Sequence, residues 1–284
     1  MSILSRERNA ESGVFGGCLY YGDVTYKLLF PTPRDVQVSY TRSISDCFLN
    51  LFYPEECFIC SSPVARRQDC GLCDDCWRKV LDLQIVGAYC PSCGAPLPGF
   101  AEGSENLCIE CIRRPPPYCG ARAFGYYSTE MRQVIHELKF KGRRPLAQLL
   151  APLLADVFLK SWKREDFDFI TYVPLHPGRR RERGFNQAEL LGRALARMVG
   201  LPELRTLRRA AATKSQVGLS DAQRLENVRN AFRCTHVDRV AGKKILLIDD
   251  VMTTGATAAS AAGALINTGA DKVSVLTVAR ATHM

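Results

Sequence analysis

The stretch that decides the fold is "KKILLIDDVMTTGATAAS", which runs from Lys243 to Ser260. The aliphatic run Ile245–Ile248 predicts a buried strand, and the small residues from Ala256 onward predict a helix. Two aspartates and a loop rich in threonine stand between them. In parallel α/β sheets, ligands bind at the C-terminal ends of the strands, and backbone N–H groups at a helix N-terminus attract anions. The stretch therefore predicts an anion-binding loop beside two carboxylates.

The segments on either side of this stretch predict the same architecture. Continuous aliphatic runs, rather than alternating ones, are typical of strands in a parallel sheet that is covered on both faces. Helical periodicity separates these runs, so the sequence predicts an α/β fold. The predicted strands are "ARAFGYY", "DFITYVPL" and "DKVSVLTVAR". The predicted helices are "STEMRQVIHELKF", "RRPLAQLLAPLLADVFLKSW" (bent or restarted near Pro152) and "NQAELLGRALARMVG" (closed by Gly200).

Charge and cysteine content divide the chain near Gly120. Residues 1–119 carry 11 Lys+Arg and 14 Asp+Glu, whereas residues 120–284 carry 27 and 15. Twelve of the 13 cysteines lie in the first part. We therefore expect a poorly ordered extension over 1–46, a cysteine-rich module over 47–119 and a basic α/β domain over 120–284.

The cysteines form C-x-x-C knuckles, whose two thiolates can reach one Zn²⁺ from a single tight turn. Two knuckles complete a tetrahedron, so four of them in about 55 residues indicate two structural zinc ions in consecutive ribbons. Sequential pairing gives a first zinc site of Cys57, Cys60, Cys73 and Cys76, and a second zinc site of Cys90, Cys93, Cys108 and Cys111.

Other ligand sets remain open at the level of sequence. The ribbons could interleave in a cross-brace, and Cys70 could replace Cys76. Cys18 and Cys119 are expected to be spare thiols. Four thiolates around one Zn²⁺ add net negative charge to a segment that is already acidic, and phosphate contacts need Lys and Arg. The ribbons are therefore expected to be a scaffold or a protein-docking element.

The sequence contains no apolar run of the length that a membrane span requires. The first residues lack the apolar core of a secretory signal. We therefore expect a soluble, cytoplasmic protein with reduced cysteines.

The carboxylates need a partner other than the anion, because they would repel a phosphate bound beside them. Ribose hydroxyls fit, since a carboxylate accepts two of them well. Arginines follow the end of the strand "DFITYVPL", where a pyrophosphate would need them, although a solvated basic loop is the alternative. The segment "RRAAATKSQVGLSDAQR" has the composition of a mobile lid or of an ordinary surface loop. Neither His136 nor His176 is expected to be a general base.

The stretch Ile245–Thr257 resembles the phosphoribosyl-pyrophosphate (PRPP) signature of type I phosphoribosyltransferases. From about Phe52 to Arg280 the chain is similar to the ComF family of competence-associated proteins. The cysteine ribbons carry this resemblance, together with "VIHELKFKGRRPLA", "YVPLHPGRRRERGFNQAELL" and "TKSQVGLSDAQRLENVRNAF". The resemblance implies a parallel sheet of the type I phosphoribosyltransferase kind behind a double zinc ribbon.

The resemblance also implies roles for individual residues. The carboxylate pair, Asp249 and Asp250, would bind the ribose hydroxyls. The anion loop, Val251–Thr257, would hold the 5′-phosphate through Val251, Met252, Thr253, Thr254, Gly255, Ala256 and Thr257. A pyrophosphate loop would comprise Leu175, His176, Pro177, Arg179, Arg180, Arg181 and Arg183. A flexible loop around Thr213, Lys214, Ser215 and Gln216 would close over PRPP.

Three functions follow as hypotheses. The first is transfer of a phosphoribosyl group from PRPP, with Mg²⁺, to an acceptor that the sequence does not identify. The second is a PRPP or nucleotide sensor without turnover. The third is a competence factor that binds single-stranded DNA through the basic segments 139–144 and 179–183 and that works with other DNA-uptake proteins.

Overall fold

The computed structural model describes residues 56–64, 70–101, 103, 105–209 and 231–281. The predicted N-terminal extension over 1–46 and the flexible loop Thr213–Gln216 lie outside these residues. In the part of the chain that is described, no helix combines the length and the apolar character needed to cross a bilayer.

A four-stranded parallel sheet forms the centre of the α/β domain, in the spatial order β1–β6–β5–β2. Val, Ile and Leu dominate its two central strands, whose residues are almost all buried. A parallel sheet needs cover on both faces, which explains these continuous apolar runs. The strands are β1 (Gly120–Tyr126), β2 (Phe169–Tyr172), β5 (Lys244–Met252) and β6 (Lys272–Arg280), and a separate antiparallel pair consists of β3 (Leu207–Arg209) and β4 (Phe232–Cys234).

The helices divide between the two faces of the sheet. One face is covered by α4 (Pro145–Ser161) and α6 (Gln187–Val199), which form one hydrophobic core with Leu246 and Ile248 of β5. The other face is covered by α8 (Ala256–Ile266) and the β3–β4 pair, which pack on Ile245 and Leu247. The remaining helices are α1 (Asp74–Leu81), α2 (Ile109–Arg113), α3 (Thr129–Phe140), α5 (Pro177–Arg183) and α7 (Val237–Val240), with a short 3₁₀ turn at Arg164–Asp166.

The predicted fold class is therefore confirmed, as is the α3 face formed by Met131, Val134, Ile135 and Leu138. Two details differ from the prediction. The segment around Pro152 forms one continuous helix, with the proline buried in the core. The strand that carries the aspartates continues to Met252, because Val251 and Met252 still pair with Ala279 and Arg280 of β6.

The first ribbon shares the hydrophobic core of the α/β domain. Trp77 and Val80 of α1 belong to the same buried cluster as Met131 of α3 and Phe124 of β1. The Arg143 guanidinium lies 5.4 Å from the centroid of the Phe58 ring. The change in composition near Gly120 is therefore not a boundary in the packing.

Candidate functional site

The two cysteine clusters have the ligand sets of the sequential pairing. The Sγ atoms of Cys57, Cys60, Cys73 and Cys76 all lie within 4.8 Å of one another, and so do those of Cys90, Cys93, Cys108 and Cys111. Four thiolates at this mutual distance fit one tetrahedral Zn²⁺. The cross-brace is therefore wrong, and so is the exchange of Cys76 for Cys70.

Backbone N–H groups support the sulfur atoms in both zinc sites. Cys76 N donates to Cys73 Sγ at 3.4 Å, and Cys108 N donates to Cys90 Sγ at 3.4 Å. Such bonds stabilise thiolate charge and orient each ligand toward the metal. The chain therefore has two preorganised structural zinc sites.

The carboxylate pair lies at the C-terminal end of β5, in the centre of the sheet. Adjacent residues of a strand point to opposite faces, and the two carboxylates have different surroundings accordingly. Asp249 lines a small cleft with Thr253, Gly255 and Thr257 of the anion loop. Asp250 forms an ion pair on the other side, where its Oδ1 accepts a bond from Lys139 Nζ of α3 at 2.7 Å.

Both carboxylates are buried, with exposed fractions of 9% for Asp249 and 4% for Asp250. Burial, together with the neighbouring Asp250 carboxylate, raises the pKa of Asp249 to about 8. Its Oδ1 accepts one bond from Asp250 N at 2.9 Å. Asp250 Oδ2 is buried and has no hydrogen-bond partner among the described residues. A buried oxygen without a partner is costly, so this end of β5 is suited to a ligand that donates hydrogen bonds or carries positive charge.

The anion loop turns sharply at Gly255, whose φ of +79° belongs to the left-handed region that favours glycine. A Cβ at this position would lie 3.4 Å from Tyr118 Oη. The helix α8 begins directly afterwards, and the side chains of Thr253, Thr254 and Thr257 are exposed. Thr253 and Thr257 therefore line the same cleft as Asp249, whereas Thr254 Oγ1 accepts a bond from Ala256 N at the start of α8, at 3.4 Å.

The predicted pyrophosphate loop is partly a helix, which corrects the expectation of a loop. Its residues Pro177–Arg183 form α5, where Pro177 occupies the first turn. His176 caps the helix through its Nδ1, which accepts a bond from Gly178 N at 3.2 Å. Gly184, with φ of +78°, ends the helix. Proline at the start and glycine at the end are strong helix signals. The arginine-rich composition instead favoured the interpretation of this segment as a loop.

The helix α5 divides its arginines between different tasks. Burial lowers the pKa of the Arg183 guanidinium. The nearby Asp250 carboxylate opposes this effect. Arg179 is exposed, and its charge acts on both Arg183 and Arg209. Arg180 instead pairs with Glu189 of α6 at 3.2 Å. Arg181 is exposed to solvent.

Two cations of the site were not assigned to it from the sequence. Lys139 was assigned only to a basic surface, although its ammonium contacts Asp250. Arg209 falls at the start of the segment "RRAAATKSQVGLSDAQR", which the sequence predicts to be a lid or a surface loop, whereas the structure places it in β3. Burial lowers the pKa of its guanidinium, while the charge of Asp249 opposes this effect.

Comparisons with known proteins agree with the zinc sites. The sequence profile of the double zinc ribbon domain matches residues 48–112.

The DNA utilization protein YhgH of Salmonella typhi is 35% identical over 81% of this chain and 99% of its own length. Competence protein F of Haemophilus influenzae is 30% identical over 74% of this chain and 91% of its own length.

The chain belongs to the ComF family. This membership confirms the resemblance that the sequence motifs indicated. Among solved structures, the glutamine PRPP amidotransferase of Bacillus subtilis matches 46% of this ComF-family chain and 25% of its own, with 21% identity and a TM-score of 0.33. That similarity is too low to bear on the site.

The zinc ligand sets lead to a first prediction. Cys73→Ser should reduce the zinc content from about two ions per chain to about one, because it removes one of four thiolates. Cys70→Ser is the matched control, since Cys70 is buried nearby but lies outside the cluster. Metal analysis of the purified proteins measures the difference. Equal loss of zinc in the two variants would contradict the ligand set.

The buried carboxylate leads to a second prediction. Because the pKa of Asp249 is raised in the folded state, the free energy of unfolding should fall as pH rises from about 4 to about 8. Asp249→Asn removes this titration, so the variant should be more stable than the parent at pH 8.5, by about 1 to 3 kcal/mol. The difference should shrink toward pH 5. Denaturant unfolding at both pH values measures it.

The control for this prediction is Asp238→Asn on α7, where the side chain is exposed. Its free energy of unfolding should follow that of the parent at both pH values. An Asp249→Asn variant that is less stable than the parent at pH 8.5 would show that the carboxylate is stabilised in the folded chain.

Proposed function

We propose that this chain binds PRPP at the C-terminal edge of its sheet and transfers the phosphoribosyl group to an acceptor. The observation that carries the proposal is the cleft in which Asp249 and the anion loop face each other, with Arg179, Arg183 and Arg209 around the carboxylate pair. PRPP offers hydroxyls for the carboxylate and phosphate groups for the arginines. The family resemblance supports the same ligand.

The 5′-phosphate would bind to the anion loop. Its threonine hydroxyls and the N-terminal N–H groups of α8 supply donors, and the positive end of the helix dipole favours the negative charge. The close approach of backbone to phosphate is what Gly255 permits.

The ribose would lie over the end of β5. Asp249 faces the cleft and would accept hydrogen bonds from the 2′ and 3′ hydroxyls. Asp250 faces away from the anion loop and holds Lys139, so we assign it to fixing that ammonium near the leaving group. The two carboxylates would thus contribute from opposite faces of the strand.

The pyrophosphate would meet Arg179, Arg183 and Arg209. Guanidinium groups bind phosphate oxygens in pairs and keep their charge, which suits a leaving group with several negative charges. In the transfer, the C1′–O bond breaks and pyrophosphate leaves with the electron pair. The acceptor nucleophile forms the new bond to C1′ and releases its proton to solvent. The arginines would favour this step by stabilising the charge on the leaving oxygen.

A magnesium ion fits beside Asp250, because its buried Oδ2 has no hydrogen-bond partner among the described residues. Asp250 would balance part of the charge of the ion on the side of the strand where Lys139 and the leaving group lie. The ion would supply further neutralisation of the pyrophosphate oxygens.

The thiolate zinc sites favour a reducing compartment, and we therefore propose that the protein is cytoplasmic.

Binding of PRPP tests the site. Arg209→Met should raise the dissociation constant of PRPP with Mg²⁺ about 10- to 100-fold, because a charge-assisted bond contributes about 1.5 to 3 kcal/mol. Arg208→Met is the matched control, since Arg208 is the neighbouring exposed residue of β3. Isothermal titration calorimetry measures both constants. The assignment fails if the two variants bind PRPP equally well.

The same proteins separate turnover from sensing. Incubation of the parent with PRPP and a panel of nucleobases and amines should release pyrophosphate when the acceptor is present, and Arg209→Met should reduce the rate. Binding of PRPP without pyrophosphate release from any acceptor would favour the sensor.

A second candidate function is binding of single-stranded DNA, which the names of the relatives and one surface favour. Arg132, His136 and Phe140 are exposed at four-residue spacing on α3. The Phe140 ring is 64% exposed, and the Arg183 guanidinium lies 4.9 Å from its centroid. An aromatic ring among cations suits stacking with bases beside phosphate contacts. Arg143 does not belong to this surface, because it packs on Phe58 of the first ribbon.

Single-stranded oligonucleotides test this surface. Their affinity should fall steeply as salt rises, since phosphate contacts release counterions. Phe140→Ala should lower the affinity about fivefold or more, because stacking contributes about 1 to 3 kcal/mol per base. Phe100→Ala, which removes an exposed ring of the second ribbon, is the control. Fluorescence anisotropy measures both, and an equal effect of the two variants would exclude a specific role for Phe140.

A further inference from the structure

The second ribbon is seated firmly on the start of β1. Ala121 N donates to Ser92 O at 2.8 Å, and the Arg122 guanidinium donates to Pro91 O at 2.9 Å. A Cβ on Gly94 would lie 2.4 Å from Ala121 O, so the two backbones are as close as glycine allows. The second zinc site therefore has a fixed position relative to the sheet.

One side chain connects this zinc site with the anion loop. Arg280 is the last residue of β6, and its exposed fraction is 9%. Its Nη2 donates to Cys93 Sγ at 3.4 Å, while its Nη1 contacts Met252 Sδ. Next to it, Ala281 N donates to Met252 O at 2.9 Å. A single buried guanidinium thus touches a zinc ligand and Met252, the last residue of β5, after which the anion loop turns.

Tyr118 provides a second connection between the same two parts. It lies in the segment that leads from the second ribbon into β1, and its side chain is buried. Its hydroxyl oxygen lies behind Gly255, where an added Cβ would meet it at 3.4 Å. The turn of the anion loop is therefore backed by the chain that leaves the second ribbon.

The negative charge of the zinc site favours the position in which the Arg280 guanidinium lies beside it. Zn²⁺ with four thiolates has a net charge of −2, which is a suitable partner for a buried guanidinium. Without the metal, Cys93 Sγ would no longer be fixed in a tetrahedral cluster, so Arg280 would lose a partner of fixed position. The guanidinium would then no longer hold Met252 Sδ in one place.

We propose that Arg280 is a positioning residue that couples the second zinc site to the anion loop, so that zinc in this site strengthens the binding of a phosphate. The inference rests on the proposed function in one respect, namely that the anion loop binds phosphate, and it does not require transfer. By linkage, a phosphate in the loop must strengthen zinc binding by the same factor. Among the described residues, no thiol of the first zinc site is hydrogen-bonded to the anion loop.

Ribose 5-phosphate is the sharpest probe, because it offers the loop a phosphate and lacks the pyrophosphate. Arg280→Gln in the full chain should raise its dissociation constant about 10-fold, with zinc content unchanged. Arg122→Gln is the matched control, since Arg122 also holds the second ribbon, through Pro91 O and the Tyr89 ring, but is hydrogen-bonded to neither a zinc ligand nor Met252. Its constant should stay within about twofold of the parent. Equal weakening in the two variants would overturn the coupling.

The zinc affinity of the second site is a further test, because a purely structural role of Arg280 would not make this affinity depend on ribose 5-phosphate. Cys60→Ser weakens the first site, so that chelator competition reports on the second. Saturating ribose 5-phosphate should raise the zinc affinity of this chain about 10-fold, and the rise should vanish when Arg280→Gln is added. Zinc affinity that does not respond to ribose 5-phosphate in the Cys60→Ser chain would contradict the proposal.

Failure of the proposed function gives a different result. If the parent binds neither ribose 5-phosphate nor PRPP, the ligand assignment is wrong, and hydrogen exchange of the anion-loop amides still tests the coupling. Zinc removal should then speed this exchange in the parent and in Arg122→Gln, with little further change in Arg280→Gln. Exchange that is independent of zinc in the parent would refute the coupling itself.

Discussion

The parallel pairing of β5 with β6 is the constraint on which the candidate site depends. It places Asp249 opposite Thr277 and Met252 opposite Arg280. Both strands are buried on both faces, so a shift of one residue would turn apolar side chains toward the wrong neighbours and is strongly disfavoured. The same register therefore decides that Asp249 faces the anion loop, that Asp250 faces α3, and that Arg280 ends beside the loop.

Burying two adjacent carboxylates costs free energy, because their charges lose hydration and repel each other. The surrounding cations offset only part of this cost. Lys139 contacts Asp250 directly, whereas Arg183 and Arg209 act on the pair from a greater distance. Arg179 repels both of those guanidinium groups. A ligand that brings hydroxyls to the carboxylates and phosphate charge to the arginines would relieve both strains. The free-energy cost of burying these charges would thus contribute to the affinity for such a ligand.

The sequence predicted the structure best where a residue pattern is compatible with few structures. Cysteine knuckles predicted both zinc sites, and uninterrupted aliphatic runs predicted the parallel sheet, because few other structures tolerate those patterns. It was least informative for long cationic side chains. Arg179, Arg180, Arg181 and Arg183 look alike in the sequence, and only the helix α5 sends Arg180 to Glu189 and Arg183 toward Asp250. Lys139 and Arg209 reach the site through tertiary packing, which local sequence does not encode.

The position of the ribbons shows why the metal sites belong to the candidate site. The first ribbon packs on α3, the helix that carries Lys139, and shares its hydrophobic core. Cys93 of the second ribbon accepts a hydrogen bond from Arg280, and Tyr118, in the segment that leaves this ribbon, lies behind Gly255. Small cysteine-rich modules have little apolar core of their own, so the metal supplies much of their rigidity. Rigid supports on both sides would reduce the entropy that the anion loop and Lys139 lose when a ligand binds. The ribbons are therefore better understood as structural supports of the site than as an appended domain.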